Sequence, residues 1–225
     1  MLVHPWDAAT DEEWRTWLAD RDFGQLIAAG RGRDVPVVVP THFAFDGERR
    51  AWLHLARPNP IWAQLEENPR ALLTVIGDYV YAPSEWQAVP GTPVDLGVPT
   101  SYYATVQLVC DVRIVDDPAE KADLLTRQLG HFEPGSGRRP VSAVEDPDRR
   151  LLPGIRGVEL TVTDVRAKFK YAGTKDPAHR REIANQLQDR GGPLDAAACA
   201  HLLRRLDGST ARGDHDADGE SERDA

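Results

Sequence analysis

Apolar positions along this chain follow two rhythms. Between residues 10 and 20 they recur at helical spacing. Trp14, Trp17 and Leu18 share one face, and Thr10 with Glu13 forms a capping box that starts the helix. From Phe23 onward the pattern changes to β-branched and aromatic runs at residues 23–29, 35–45 and 50–56, which read as strands. Asp46-Gly47 between the last two is a hairpin signature. Asn59 as N-cap and Pro60 in the first turn begin a short helix ending near Asn68. Residues 71–76 and 79–81 read as two strands broken at Gly77-Asp78, and residues 100–115 as one long strand. An amphipathic helix follows at 118–129, a last strand region at 155–171, and helices at 177–190 and 195–206.

Two polar stretches interrupt this order. Residues 83–99 hold four prolines and two glycines around Trp86, and a loop of that length inside a compact domain is often functional. Residues 132–147 form the second. After Leu206 only small and charged residues remain, so 207–225 is expected to be a disordered tail behind a single domain of residues 1–206. Many short strands with peripheral helices predict a mainly β fold, a closed or split β-barrel with helical decoration.

Composition narrows the function classes. The 225 residues carry 27 basic and 36 acidic side chains, a formal net charge of −9, with no basic run. Phosphate neutralisation needs clustered Lys and Arg, so nucleic acid is not an expected partner. No segment is apolar for long enough to span a bilayer, and the first residues lack the basic-then-apolar order of a signal peptide. Cys110 and Cys199 sit in no metal-type spacing. The expected setting is the cytoplasm. No Gly-rich phosphate loop, zinc spacing or nucleophile elbow is present.

The richest segment is His54-Leu55-Ala56-Arg57-Pro58-Asn59-Pro60-Ile61-Trp62. It places an imidazole and a guanidinium just ahead of a helix start, where a flat anionic cofactor can be held. Each residue also has a plainer reading. His54 and its competitor His42 can be core histidines. Arg57 can pair with Glu66 or Glu67, Asn59 can be only an N-cap, and Trp62 reads as core. Tyr102 and Tyr103, adjacent in a strand, must face opposite sides, so regular geometry lets one of them reach a pocket. Thr100 and Ser101 are small hydroxyl donors. Lys168 and Lys170 share one strand face that reads as solvent. His179 with Arg180-Arg181 reads as a solvated helix face, and His201 has no context that singles it out.

Four segments in this order resemble the PaiB family of FMN-binding negative transcriptional regulators. They are Thr41-His42; the His54–Trp62 stretch, which matches His-Met-Ala-Arg-Ala-Asn-Pro-Gln-Trp; Tyr81 and Trp86 with Val98-Pro99-Thr100-Ser101-Tyr102-Tyr103; and Gly154-Ile155-Arg156-Gly157-Val158-Glu159-Leu160 with Lys168-Phe169-Lys170. The resemblance implies a split β-barrel that forms a homodimer with cofactor pockets at the subunit interface. Departures cluster where the family pattern flanks the pocket. Ser101-Tyr102 replaces Trp-Asn, Gln107 stands where the family has His, Val109-Cys110 replaces Tyr-Gly, and Gly173-Thr174-Lys175 replaces Gln-Asn-Arg.

These departures resemble the piperazate synthases, PaiB-like proteins that bind heme b instead of FMN. They convert a hydroxylated ornithine, N5-hydroxy-L-ornithine, to L-piperazic acid and water by forming an N–N bond. On that resemblance His54 is the candidate axial ligand of the iron, with His42 as alternative. Arg57, Asn59, Thr100 and Ser101 would bind the cofactor, Arg57 through a heme propionate or an FMN phosphate. Tyr102 or Tyr103 would hold the hydroxylamine or donate a proton, and Lys175 would take the substrate carboxylate. The alternatives are an FMN-binding PaiB-like transcriptional regulator and a flavin-dependent oxidoreductase of the same fold.

Overall fold

The computed structural model describes residues 1–89 and 91–206; the expected tail at 207–225 lies outside the described residues. Helix α1 (Asp11–Ala19) is built as its capping box dictates. Thr10 Oγ1 accepts from the Glu13 N–H at 3.2 Å, and Glu13 returns a carboxylate oxygen to the Thr10 N–H at 2.9 Å. Trp14, Trp17 and Leu18 are its buried face.

Strands β1 (Phe23–Ala28), β2 (Val37–His42), β3 (Ala44–Phe45), β4 (Arg50–Ala56), β5 (Arg70–Ala82), β6 (Thr100–Val115) and β7 (Ile155–Lys170) form one sheet in the order β2-β1-β5-β6-β7-β4-β3. The two edge strands are consecutive in the chain. The expected strand at 35–45 is split at Phe43, which is fully buried and whose N–H leaves the ladder for the Asp22 carbonyl at 2.8 Å. Before the split the chain pairs with β1 (Gly24↔Thr41), and after it with β4 (Ala44↔Trp52). One bent strand thus serves both edges and closes the sheet on itself, which removes the open edges a flat sheet would leave. Leu26, Leu53, Leu73, Val106, Leu108, Val158 and Leu160 are buried to 0–1 % exposure in its core. Each contributes roughly 1.5–3 kcal/mol of transfer free energy.

The remaining helices are α2 (Ile61–Glu67), α3 (Ser84–Gln87), α4 (Pro118–Phe132), α5 (Asp148–Leu151), α6 (Pro177–Arg190) and α7 (Asp195–Leu203). α4 is capped by Asp117, whose carboxylate accepts from the Ala119 and Glu120 N–H groups, with Pro118 in the first turn. Asn59 is not the N-cap of α2: that position is Pro60, which has no side chain to cap with, and Asn59, one residue further out, accepts the Ile61 N–H on Oδ1 at 3.1 Å. The described residues fall into two compact units. One contains residues 1–3, 8–76 and 105–168; the other contains 4–7, 77–104 and the chain from 169 onward.

Some local expectations change. The break at Gly77-Asp78 does not end the strand; β5 runs through it, and Asp78 rather than the glycine takes positive φ, at 52°. An aspartate tolerates that backbone better than most residues. Here Asp78 is also held from outside, its carbonyl by the Tyr171 hydroxyl at 2.9 Å and its carboxylate by His201 at 2.8 Å. The 83–99 segment is not structureless, since it contains α3 and a 3₁₀ turn at Val94–Leu96. His179 and Arg180 are buried, not solvated, because α6 turns them inward with Ile183 and Leu187 against α7; only Arg181 of that run is exposed. Lys168 and Lys170 likewise leave solvent. Lys168 is 9 % exposed and donates to the Leu2 carbonyl, and Lys170 donates to Thr100.

Candidate cofactor site

β4 alternates as a strand covered on both faces must. Ala51, Leu53 and Leu55 fill the barrel, while Trp52 and His54 point to the face covered by α4. Leu124 and Gln128, one helical turn apart on α4, cover them. Leu124 packs with Trp52 and Val115, and Gln128 meets His54. Gly157, opposite His54 in β7, lets the helix come this close. A Cβ there would lie 3.0 Å from Leu124 Cδ1 and 3.1 Å from Val115 Cβ.

The His54–Gln128 contact fixes a tautomer. The Gln128 amide nitrogen donates to the Trp52 carbonyl at 3.2 Å, so its oxygen is the atom that faces His54 Nδ1 at 2.7 Å. That oxygen can only accept, so Nδ1 carries the proton and the lone pair of the neutral ring lies on Nε2. Gln128 is 3 % exposed, which makes the arrangement costly to undo.

His54 lines a cavity of about 300 Å³ with Leu125, Leu129, Val141, Leu152 and Ile155, and with the Arg138–Asp148 pair. His42 packs edge-on to His54, ring centroids 5.3 Å apart, and against Phe132 at 5.1 Å. Desolvation, and then the nearby His54, hold the His42 imidazole below its ordinary pKa, with Asp22 opposing.

Arg57 braces the cavity wall. Its Nε donates to the Pro153 carbonyl at 2.7 Å, and its ion pair is with Asp116 at 3.4 Å, not with Glu66 or Glu67. Those acids serve Arg156 and Arg33. Lys121, which the sequence did not single out, supports the same wall from α4. It is 2 % exposed and donates to the carbonyls of Leu152 (2.7 Å) and Ile155 (3.2 Å), and burial lowers its pKa. Trp62 is core, as expected, its indole N–H on the Ala56 carbonyl.

His42, His54, Arg57 and Asn59 all belong to the first unit, and His42 and His54 are in contact. Thr100, Ser101, Tyr102, Tyr103 and Lys175 belong to the second. Tyr102 is the inward member of its pair at 1 % exposure, and Tyr103 is half-buried. The Tyr102 hydroxyl exchanges two hydrogen bonds with the Gln87 side chain, and burial pushes its pKa up to about 12. Lys175 donates to the Gln87 backbone carbonyl at 3.1 Å, and desolvation lowers its pKa. Thr100 Oγ1 accepts from Lys170 at 2.7 Å.

A family model described as "Putative FMN-binding domain" matches residues 2–164. The Bacillus subtilis (strain 168) protein named "Protease synthase and sporulation protein PAI 2" is 24% identical over 196 residues, covering 85% of this chain and 90% of its own length. Among solved structures, the flavocytochrome Anf3 from Azotobacter vinelandii superposes with a TM-score of 0.55 at 21% identity, over 73% of this chain and 70% of its own. The FAD and heme binding protein from Mycobacterium smegmatis gives 0.55 at 16% identity, over 73% of each chain. These likenesses establish the fold, a flavin-protein split barrel. With the match at residues 2–164, the chain belongs to the PaiB-like FMN-binding-domain family.

Proposed function

We propose that this protein is a heme-dependent cyclase of the piperazate synthase type, which forms an N–N bond in N5-hydroxy-L-ornithine with loss of water. The observation that carries the reading is the Trp52–Gln128–His54 relay, which leaves Nε2 without a hydrogen-bond partner among the described residues, on a side chain that lines a largely apolar cavity. A hydrogen bond that orients the second ring nitrogen is the usual support of a metal-ligating histidine. Among the described residues no three His, Cys, Asp or Glu side chains converge to hold a metal ion. A lone imidazole suits an iron that brings four ring nitrogens of its own. The residues therefore fit a porphyrin in donor chemistry. A cavity of about 300 Å³ takes only part of a macrocycle, so the reading places the rest against a second copy of the chain in a homodimer. Two proteins sharing this fold are described as a flavocytochrome and as an FAD and heme binding protein, which supports the reading.

Bound at His54, the iron would supply Lewis acidity toward the hydroxylamine N–O group. The chain's own residues do the rest. Gln128 holds the imidazole in one tautomer and one orientation. Leu125, Leu129, Val141, Leu152 and Ile155 exclude water and favour a folded aliphatic substrate, with its α-amine close to its own hydroxylamine nitrogen, an orientation gain of the intramolecular kind. The Tyr102 hydroxyl, committed to Gln87, is assigned a packing role.

The test is an absorbance spectrum of the purified protein, followed by incubation with N5-hydroxy-L-ornithine and mass spectrometry. We expect a Soret band that His54→Ala abolishes, and a product lighter by one water. A colourless protein after heme supplementation overturns the reading. The family match favours a second reading, FMN in the same barrel, as a regulator or oxidoreductase. A yellow protein with flavin absorbance and no Soret band selects it, and a gel shift with its own upstream DNA separates the regulator from the oxidoreductase.

A further inference from the structure

We infer that Arg138 is the carboxylate-binding residue of the His54 cavity; the setting rests on the reading just given, the assignment on the local geometry. Apart from His54, the cavity wall is aliphatic except for one cation, Arg138, and its partner Asp148. Asp148 is 4 % exposed and fixed from three sides. Arg138 Nη2 donates to it at 2.6 Å, the Ser142 N–H at 3.0 Å, and Arg139 lies 3.3 Å away. These donors hold its carboxyl below the usual carboxylate range, so Asp148 stays charged and anchors the guanidinium.

Among the described residues, Arg138 otherwise donates only to the Arg139 carbonyl, at 3.1 Å. A guanidinium has five N–H donors in a rigid fork, and the remaining three can meet a carboxylate two at a time. Charge around it agrees. Between residues 138 and 150, four arginines face three acids in a chain whose net charge is −9. An incoming monoanion therefore neutralises this segment rather than overcharging it.

A carboxylate can arrive from two sources, the propionate of a porphyrin or the α-carboxylate of the amino-acid substrate. The test uses the full chain and compares Arg138→Gln and Arg138→Lys with the parent, each checked for fold by circular dichroism. Heme affinity is read by Soret titration, and amino-acid affinity by calorimetry with N5-hydroxy-L-ornithine. Loss of the fork weakens a charge-assisted pair by about 10- to 100-fold, and Arg138→Lys should fall between. If only amino-acid binding weakens, the substrate is the source; if only heme affinity weakens, the propionate is. Both affinities unchanged in Arg138→Gln overturns the assignment. Should the parent take up no heme, the cyclase reading falls, while calorimetry still decides Arg138: no carboxylate-dependent binding there overturns it too.

Discussion

Two hydrogen-bonded histidines, one in each unit, are held in opposite ways. In the second, the polar atoms around His201 and Tyr102 are matched with one another. Asp78 meets His201 at 2.8 Å, Arg204 donates to the other His201 nitrogen at 3.2 Å, Tyr171 stacks on the His201 ring at 4.4 Å, and Tyr102 and Gln87 exchange two bonds. In the first, the Trp52–Gln128–His54 relay stops one atom short and leaves Nε2 at a cavity wall. Both regions contain a hydrogen-bonded histidine, so burial and pairing alone do not mark function. What differs is closure: the His201 ring has both nitrogens taken, the His54 ring only one. A group prepared on one side and open on the other is what a ligand needs.

Breaking the closed cluster should have the largest effect. His201→Ala leaves the Asp78 carboxylate, in a side chain 8% exposed, without its imidazole partner. A hydrogen bond to a charged group is worth about 1.5–3 kcal/mol, and the ring stacked on Tyr171 is lost with it. We expect the urea midpoint to fall sharply, while the Soret absorbance per folded molecule stays as in the parent. A variant of normal stability that lost its cofactor would place the chemistry in the second unit and reverse the comparison.

Much of this contrast was not legible in the sequence, for physical reasons. The strands were, because period-two burial at 23–28 and the apolar run at 50–56, buried on both faces, are written into the side chains. So was the turn at Asp46-Gly47, where Asp46 Oδ1 collects three successive N–H groups and Gly47 takes φ of 82°. The place where the barrel closes was not, because it depends on one apolar residue, Phe43, that reads like its neighbours. His54 stood out through its local segment, yet Gln128 lies 74 residues away and no local pattern links them. Its trace in the sequence is a glutamine on the apolar stripe of α4, four residues after Leu124, where a leucine would be ordinary. The inward turn of His179 and Arg180 was hidden for the opposite reason: α6 is polar over most of its circumference, so no stripe announces which face packs.

A smaller effect sharpens the assignment of Tyr102. Tyr102→Phe removes a buried hydroxyl and leaves the Gln87 amide, 8% exposed, short of a partner, a cost of about 1–3 kcal/mol. If the phenol only packs, kcat per folded molecule is unchanged and thermal unfolding comes earlier. The reverse pattern, intact stability with lost turnover, would make Tyr102 a catalytic group after all.

The smallest effect lies beside the open site. The folded chain holds the His42 imidazole below its ordinary value of 6.5, through desolvation and the neighbouring His54, whereas the unfolded chain does not. As pH falls below about 6.5 the unfolded state takes up the proton first, so stability declines until the depressed folded value is passed, then levels. Above 6.5 both states are neutral and the group contributes no slope. His42 is exposed, so solvent screens much of the effect. Urea unfolding at pH 7.5 and 5.5 should show a smaller acid-induced loss for His42→Gln than for the parent. An equal loss in both would mean that the His42–His54 contact, at 5.3 Å between ring centroids, is electrostatically silent.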